Sequence, residues 1–131
     1  MSSEYYSIQI EIPDVGIVNA WLLRSAAPLT VKHVWTLIQD NKFITGRARW
    51  VDAAKNDAIY FEIGIHKGKE GKPGKLRPRD IGYSFKMDSV IIYVGDQPIP
   101  YDAVKIGEIK ENFDILKNVK NGMSMKLKLV R

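Results

Sequence analysis

Ala58-Ile59-Tyr60-Phe61-Glu62-Ile63-Gly64-Ile65 and Ser89-Val90-Ile91-Ile92-Tyr93-Val94 are the two runs on which the fold turns. Both are rich in β-branched and aromatic residues, and both are shorter than a helix needs. Between them lies His66-Lys67-Gly68-Lys69-Glu70-Gly71-Lys72-Pro73-Gly74-Lys75-Leu76-Arg77-Pro78-Arg79-Asp80, too charged and too rich in Gly and Pro to bury itself. The pattern predicts two strands holding out a long basic loop.

Upstream, Tyr6, Ile8, Ile10 and Ile12 alternate with polar neighbours, the period of a half-buried strand. Pro13-Asp14-Val15-Gly16 is a turn, and Ile17–Leu23 returns as the second strand of a hairpin. Thr30 is the expected N-cap of a helix whose stripe is Val31, Val34, Trp35 and Ile38. His33 falls off that stripe and is expected to be solvated. Phe43–Val51 reads as a weaker strand and Ile81–Phe85 as a short one. The prolines of Gly95–Asp102 predict a turn-rich loop. Val104–Ile109 is a strand, Glu111–Val119 a short helix stopped by Asn121-Gly122, and Met123–Leu129 a closing strand with Lys126 and Lys128 outward. About eight strands and two helices predict a mainly β chain, a closed eight-stranded antiparallel barrel with two capping helices over a single domain, 1–131. Closure would leave no exposed sheet edge.

The chain carries 131 residues, a net charge of +5 and no cysteine. Disulfides and thiolate metal sites are thereby excluded. No apolar run approaches a membrane span and the start lacks a signal-peptide pattern, so no membrane partner and a cytoplasmic location are expected. From His66 to Asp80, six Lys or Arg against Glu70 and Asp80 leave a net +4, most of the excess. A patch of that sign favours an anionic partner, such as a nucleic acid, a ribonucleoprotein or an acidic protein. The plainer reading is a solvated loop that aids solubility. Gly68–Leu76 is not a phosphate-cradling P-loop, because Gly, Lys and Ser/Thr are not at the required offsets. With only His33 and His66, zinc-hydrolase and nucleophile–histidine chemistry lack parts. The aspartates, Asp52, Asp57, Asp80, Asp88, Asp96 and Asp102, read as turn formers. Met123 and Met125 read as core. Tyr60 and Phe85 read as fillers of the barrel or its mouth. No cofactor is expected.

Several motifs in this order resemble the cyclophilin-like fold, and more narrowly the small stand-alone prokaryotic cyclophilin-like domains of unknown function. Ala27-Pro28-Leu29-Thr30-Val31 is similar to the opening of the first cyclophilin helix. Gly46-Arg47-Ala48-Arg49-Trp50, Asp57–Ile63 and Gly95-Asp96-Gln97-Pro98 resemble segments of the small domains. Ile106–Ile109 followed by Glu111–Lys117 resembles the later strand and helix of both. The resemblance implies a barrel capped by two helices, and a proline-peptide groove by Arg47, Arg49, Trp50, Tyr83, Phe85 and Val90. It also implies where isomerase residues would fall. Arg47 or Arg49 occupies the region of the family's arginine without the adjacent Phe-His, and Val90 stands where the family keeps a glutamine. Isomerase residues are therefore unmatched, and the reading leans away from an enzyme. The leading expectation is a binding module that contacts an anionic macromolecule through Lys67, Lys69, Lys72, Lys75, Arg77 and Arg79. The alternative is a weak peptidyl-prolyl isomerase or proline-peptide binder.

Overall fold

The structure is a computed structural model that describes residues 5–24, 27–50, 58–65, 75–95, 99–100 and 103–130. The hairpin forms as expected. Strand β1 (Tyr5–Ile12) pairs antiparallel with β2 (Gly16–Leu23), Ile8 opposite Ala20 and Ile10 opposite Val18. The alternating isoleucines are buried and their polar neighbours are not. Helix α1 (Pro28–Asn41) follows, then β3 (Phe43–Arg47), β4 (Arg49–Trp50) and β5 (Ala58–Glu62). The short β6 (Lys75–Leu76) leads to β7 (Asp80–Ser84), β8 (Ser89–Tyr93) and the short β9 (Ile99–Pro100). Strand β10 (Val104–Glu111), a 3-10 helix (Phe113–Asn118) and β11 (Ser124–Leu129) complete the order.

The main sheet runs β3-β11-β1-β2-β10-β7-β8-β5-β4, and every neighbouring pair is antiparallel. It has nine strands where eight were expected. The extra one arises because the stretch 43–50 is interrupted at Ala48, whose N–H donates to Met123 O and whose carbonyl accepts from Gly122 N. The two halves pair with opposite partners, β3 with β11 and β4 with β5. The ends of the sheet are thus consecutive in the chain, and the barrel is nearly closed. Gly46 lies where the halves meet. A Cβ there would stand 2.6 Å from Glu62 O.

The barrel is filled by Ile8, Ile10, Val18, Leu22, Ile59, Phe61, Val90, Ile92, Ile106, Met125 and Leu127, all buried. Met125 is core as expected, while Met123 is half-buried against it. At the open end of the β1–β2 hairpin, Tyr6 stacks on Trp35 of α1, ring centroids 4.7 Å apart. At its turn end, the 3-10 helix packs, with Asn112 Nδ2 donating to Ile17 O and Ile115 against Gly16. The two helices therefore sit at opposite ends of the hairpin.

Two local expectations are corrected and one is narrowed. Helix α1 starts at Pro28 rather than after Thr30, and Thr30 is buried in its first turn. Proline at the first turn has the helical φ and no N–H of its own to be capped, and Thr30, already inside the helix, is not at the capping position. The short helix expected over Glu111–Val119 forms as a 3-10 helix, Phe113–Asn118. Strand β10 runs on to Glu111, and Asn112, at φ 64°, breaks the chain direction before a 3-10 helix. Asn is among the few residues that visit this left-handed region readily. Finally, the Gly95–Asp102 loop contributes a strand after all, Ile99–Pro100, paired only with Lys75–Leu76 in a two-stranded ribbon apart from the barrel. Such an edge is where a proline can be tolerated. His33 is exposed, as expected. Among the described residues no helix is long and apolar enough to cross a membrane.

Candidate functional site

Strand alternation decides which side chains face outward on β4, β5 and β8. Val90 and Ile92 point into the barrel, so Ser89 and Ile91 point out. Opposite Ile91 and Ser89 stand Tyr60 and Glu62 of β5, and opposite Tyr60 stands Arg49 of β4. Part of this outer face is covered. Leu76 of the ribbon packs with Ala58, Ile91, Tyr93 and Ala103 in a second small apolar cluster. The rest is open as a groove of about 570 Å³ lined by Arg47, Arg49, Tyr60, Glu62, Met87 and Ser89.

Of the expected groove residues, Arg47 and Arg49 line this groove. Arg47 Nη1 donates to Gly122 O at 3.0 Å, which holds that guanidinium against the turn after the 3-10 helix. Trp50 turns away: its Nε1 donates to Val119 O at 2.9 Å, and its backbone N to Asn121 Oδ1 at 2.8 Å. Val90 and Tyr83 are barrel core rather than groove, since each sits on the inward register of its strand. The Tyr83 hydroxyl donates to Asp88 Oδ1 at 2.7 Å in the interior. Phe85 packs half-buried against the core. Tyr60, Glu62, Met87 and Ser89 were not singled out for the groove. The usable signal was the spacing of Tyr60 and Glu62, two apart on one strand, where a charged residue marks the outward face.

Lys67, Lys69 and Lys72 lie outside the described residues. The backbone of Lys75 pairs with Pro100. Arg77 and Arg79 are exposed, with Arg79 at φ 77° and its guanidinium 5.3 Å from the Phe113 ring. This end of the basic stretch is firmly rooted. Asp80 is buried, and its Oδ2 accepts from Arg77 N at 2.9 Å. Its Oδ1 lies 3.2 Å from Lys105 Nζ, which also reaches Glu108 Oε1 at 2.6 Å. Burial works against the Lys105 charge, but the hydrogen bonds and charges of Glu108 and Asp80 outweigh it and hold its pKa above the usual lysine value. Backbone bonds from Arg79 N to Tyr93 O and from Ile109 N to Arg79 O fix the root on both sides.

No family model matches the chain, and no curated protein matches it. Solved structures do. A hypothetical protein of Archaeoglobus fulgidus, known by its solution structure, is 23% identical over 98% of both chains, with a TM-score of 0.72. McbB, solved in complex with tryptophan, is 15% identical over 93% of this chain and 44% of its own, with a TM-score of 0.70. A cyclophilin-type peptidyl-prolyl cis-trans isomerase of Cryptosporidium parvum is 13% identical over 97% of this chain and 98% of its own, with a TM-score of 0.66. At these identities the likeness speaks for architecture alone, and that architecture is the cyclophilin-like barrel.

Proposed function

We propose that this protein is a non-enzymatic binding module that holds an anionic macromolecule, a nucleic acid foremost, against the basic stretch Lys67–Arg79. The observation that carries the proposal is the net +4 of residues 66–80 on a chain whose total is +5. The rooted end of the stretch supports it. Asp80, one of only two acids there, is committed to Lys105 and to the Arg77 backbone, so it does not fold back to neutralise the lysines. Such contacts act through phosphate charge and do not read sequence.

Fluorescence anisotropy with a labelled RNA octamer tests it. If five cations each meet a phosphate, log K falls with log salt at a slope of about −3.5, roughly a hundredfold between 50 and 200 mM. Alanine at Lys69, Lys72, Lys75, Arg77 and Arg79 together is expected to remove most of that slope. Equal binding of polyglutamate would move the reading from nucleic acid to acidic protein. Failure of every polyanion to bind at low salt would overturn it.

A second reading is favoured by one observation, the pair Arg47 and Arg49 on an open groove beside Tyr60 and Met87. A guanidinium near a prolyl nitrogen can ease rotation about a bond whose barrier is about 20 kcal/mol. On this reading the groove takes a proline peptide or turns one over weakly. In a protease-coupled isomerisation assay it requires a rate above buffer that Arg49→Ala diminishes. A rate equal to buffer disposes of the enzymatic form.

A further inference from the structure

The strand register brings together residues far apart in sequence. Trp21 of β2 lies opposite Glu108 of β10, and Glu108 lies opposite Asp80 of β7. Trp21 is therefore two strand spacings, about 10 Å, from the root of the basic stretch. On the other side of Trp21, the Tyr5 ring stands 4.4 Å from it, tilted by 34°. Past Tyr5 the outer face ends, and round its rim, on the inward register of β1, stands the stacked pair Tyr6 and Trp35. A cation lies over each pair: Lys110 Nζ 5.0 Å from the Trp21 centroid, and Arg24 Cζ 5.2 Å from that of Tyr6. Two adjoining depressions follow this line and share Ser7 and Val130. One, of about 210 Å³, has Trp21, Lys110, Glu111 and the cross-strand amide pair Gln9 and Asn19 in its lining. The other, of about 540 Å³, is walled by Tyr5, Tyr6, Arg24 and Trp35.

We infer that this outer face is a stacking track for the bases of a single-stranded nucleic acid, laid beside the phosphate-binding stretch. The inference rests on the reading above and adds to it the part of the ligand that is not phosphate. Flat rings need aromatic faces, and base edges need the donors and acceptors that Gln9 and Asn19 carry. Lys110 covers Trp21 without blocking it. An exposed cation–π contact contributes less than base stacking does, so a base displaces the ammonium and leaves it beside the backbone it carries. Glu108, the carboxylate between Trp21 and the basic root, is held by Lys105.

The test compares an RNA octamer, a DNA octamer and an abasic phosphodiester of equal length. Trp21→Ala is expected to weaken the base-bearing strands about tenfold or more, with the salt slope and the abasic affinity unchanged. Trp21→Phe, which keeps a ring, should recover most of the loss. A difference between the RNA and DNA arms assigns the source of the strand. The inference is overturned if Trp21→Ala binds all three as the wild type does, or loses all three equally. Uncharged adenosine separates it from the charge reading. Amide shifts at Gln9, Asn19 and Lys110 on adding adenosine support the track even if polyanions fail to bind, and their absence together with that failure removes both.

Discussion

Asp88→Ala is expected to destabilise the barrel by about 3–5 kcal/mol. Asp88 is buried at the turn between β7 and β8, with φ 51°. Its Oδ1 accepts from the Tyr83 hydroxyl at 2.7 Å and from Ile65 N at 3.1 Å, while its carbonyl accepts from Ile63 N. Alanine removes the acceptor from two buried donors, at about 1–3 kcal/mol each. It also places a Cβ without a local polar partner in the left-handed region, at about 1 kcal/mol more. Asp88→Asn keeps an acceptor oxygen and tolerates that φ, so it should cost less than half as much. Urea unfolding of the two variants decides the matter. An Asp88→Ala midpoint equal to that of the wild type would show that this node does not hold the turn. Because Met87 of the same turn lines the groove, the variant should also loosen that face.

Gly107→Ala is expected to cost more than about 3 kcal/mol, or to prevent accumulation of folded protein. A Cβ at Gly107 would stand 2.1 Å from Trp21 O and 3.2 Å from Trp21 C. Both are backbone atoms of the neighbouring strand and cannot swing aside. Gly107 sits where the β10–β7 register shifts, a bulge that lets β10 serve two partners. Gly122→Ala is the control. It meets nothing within 4 Å and carries only the strain of φ 91°, expected at about 1 kcal/mol. Equal unfolding midpoints for Gly107→Ala and the wild type would refute the close approach. The same contact fixes the backbone that presents Trp21.

Period-two alternation made the hairpin and the closing strand legible down to their inward faces, because each has one solvated side. The same signal fails on β8. All five of its residues are buried, since barrel core lies on one side and the Leu76 cluster covers part of the other. Only Ser89, at the strand's end, marks the outside, and one polar residue does not establish an alternation, so nothing in the pattern opposed the groove position that the resemblance implies for Val90. The short helix was legible from its apolar spacing, but its later start was not, because β10 runs on to Glu111 and the left-handed Asn112 separates the two. The Asp80–Lys105 pair was not legible, because it depends on which strands lie side by side, and β7–β10 is a pairing of strands that do not follow one another. The Tyr5–Trp21 contact lies inside the hairpin and needed only its register. The basic stretch was plain from composition alone, since charge density needs no partner to be seen.

The position of β11 has a consequence for assembly. It lies between β3 and β1, two strands made much earlier in the chain. Until residues 124–129 are inserted, both of those strands present unpaired backbone rims, and the curved sheet is an open trough instead of a tube. Such rims are templates for pairing with another molecule. A chain cut short before Ser124 is therefore expected to self-associate where the whole chain does not, since the insertion of one keystone strand quenches both rims at once.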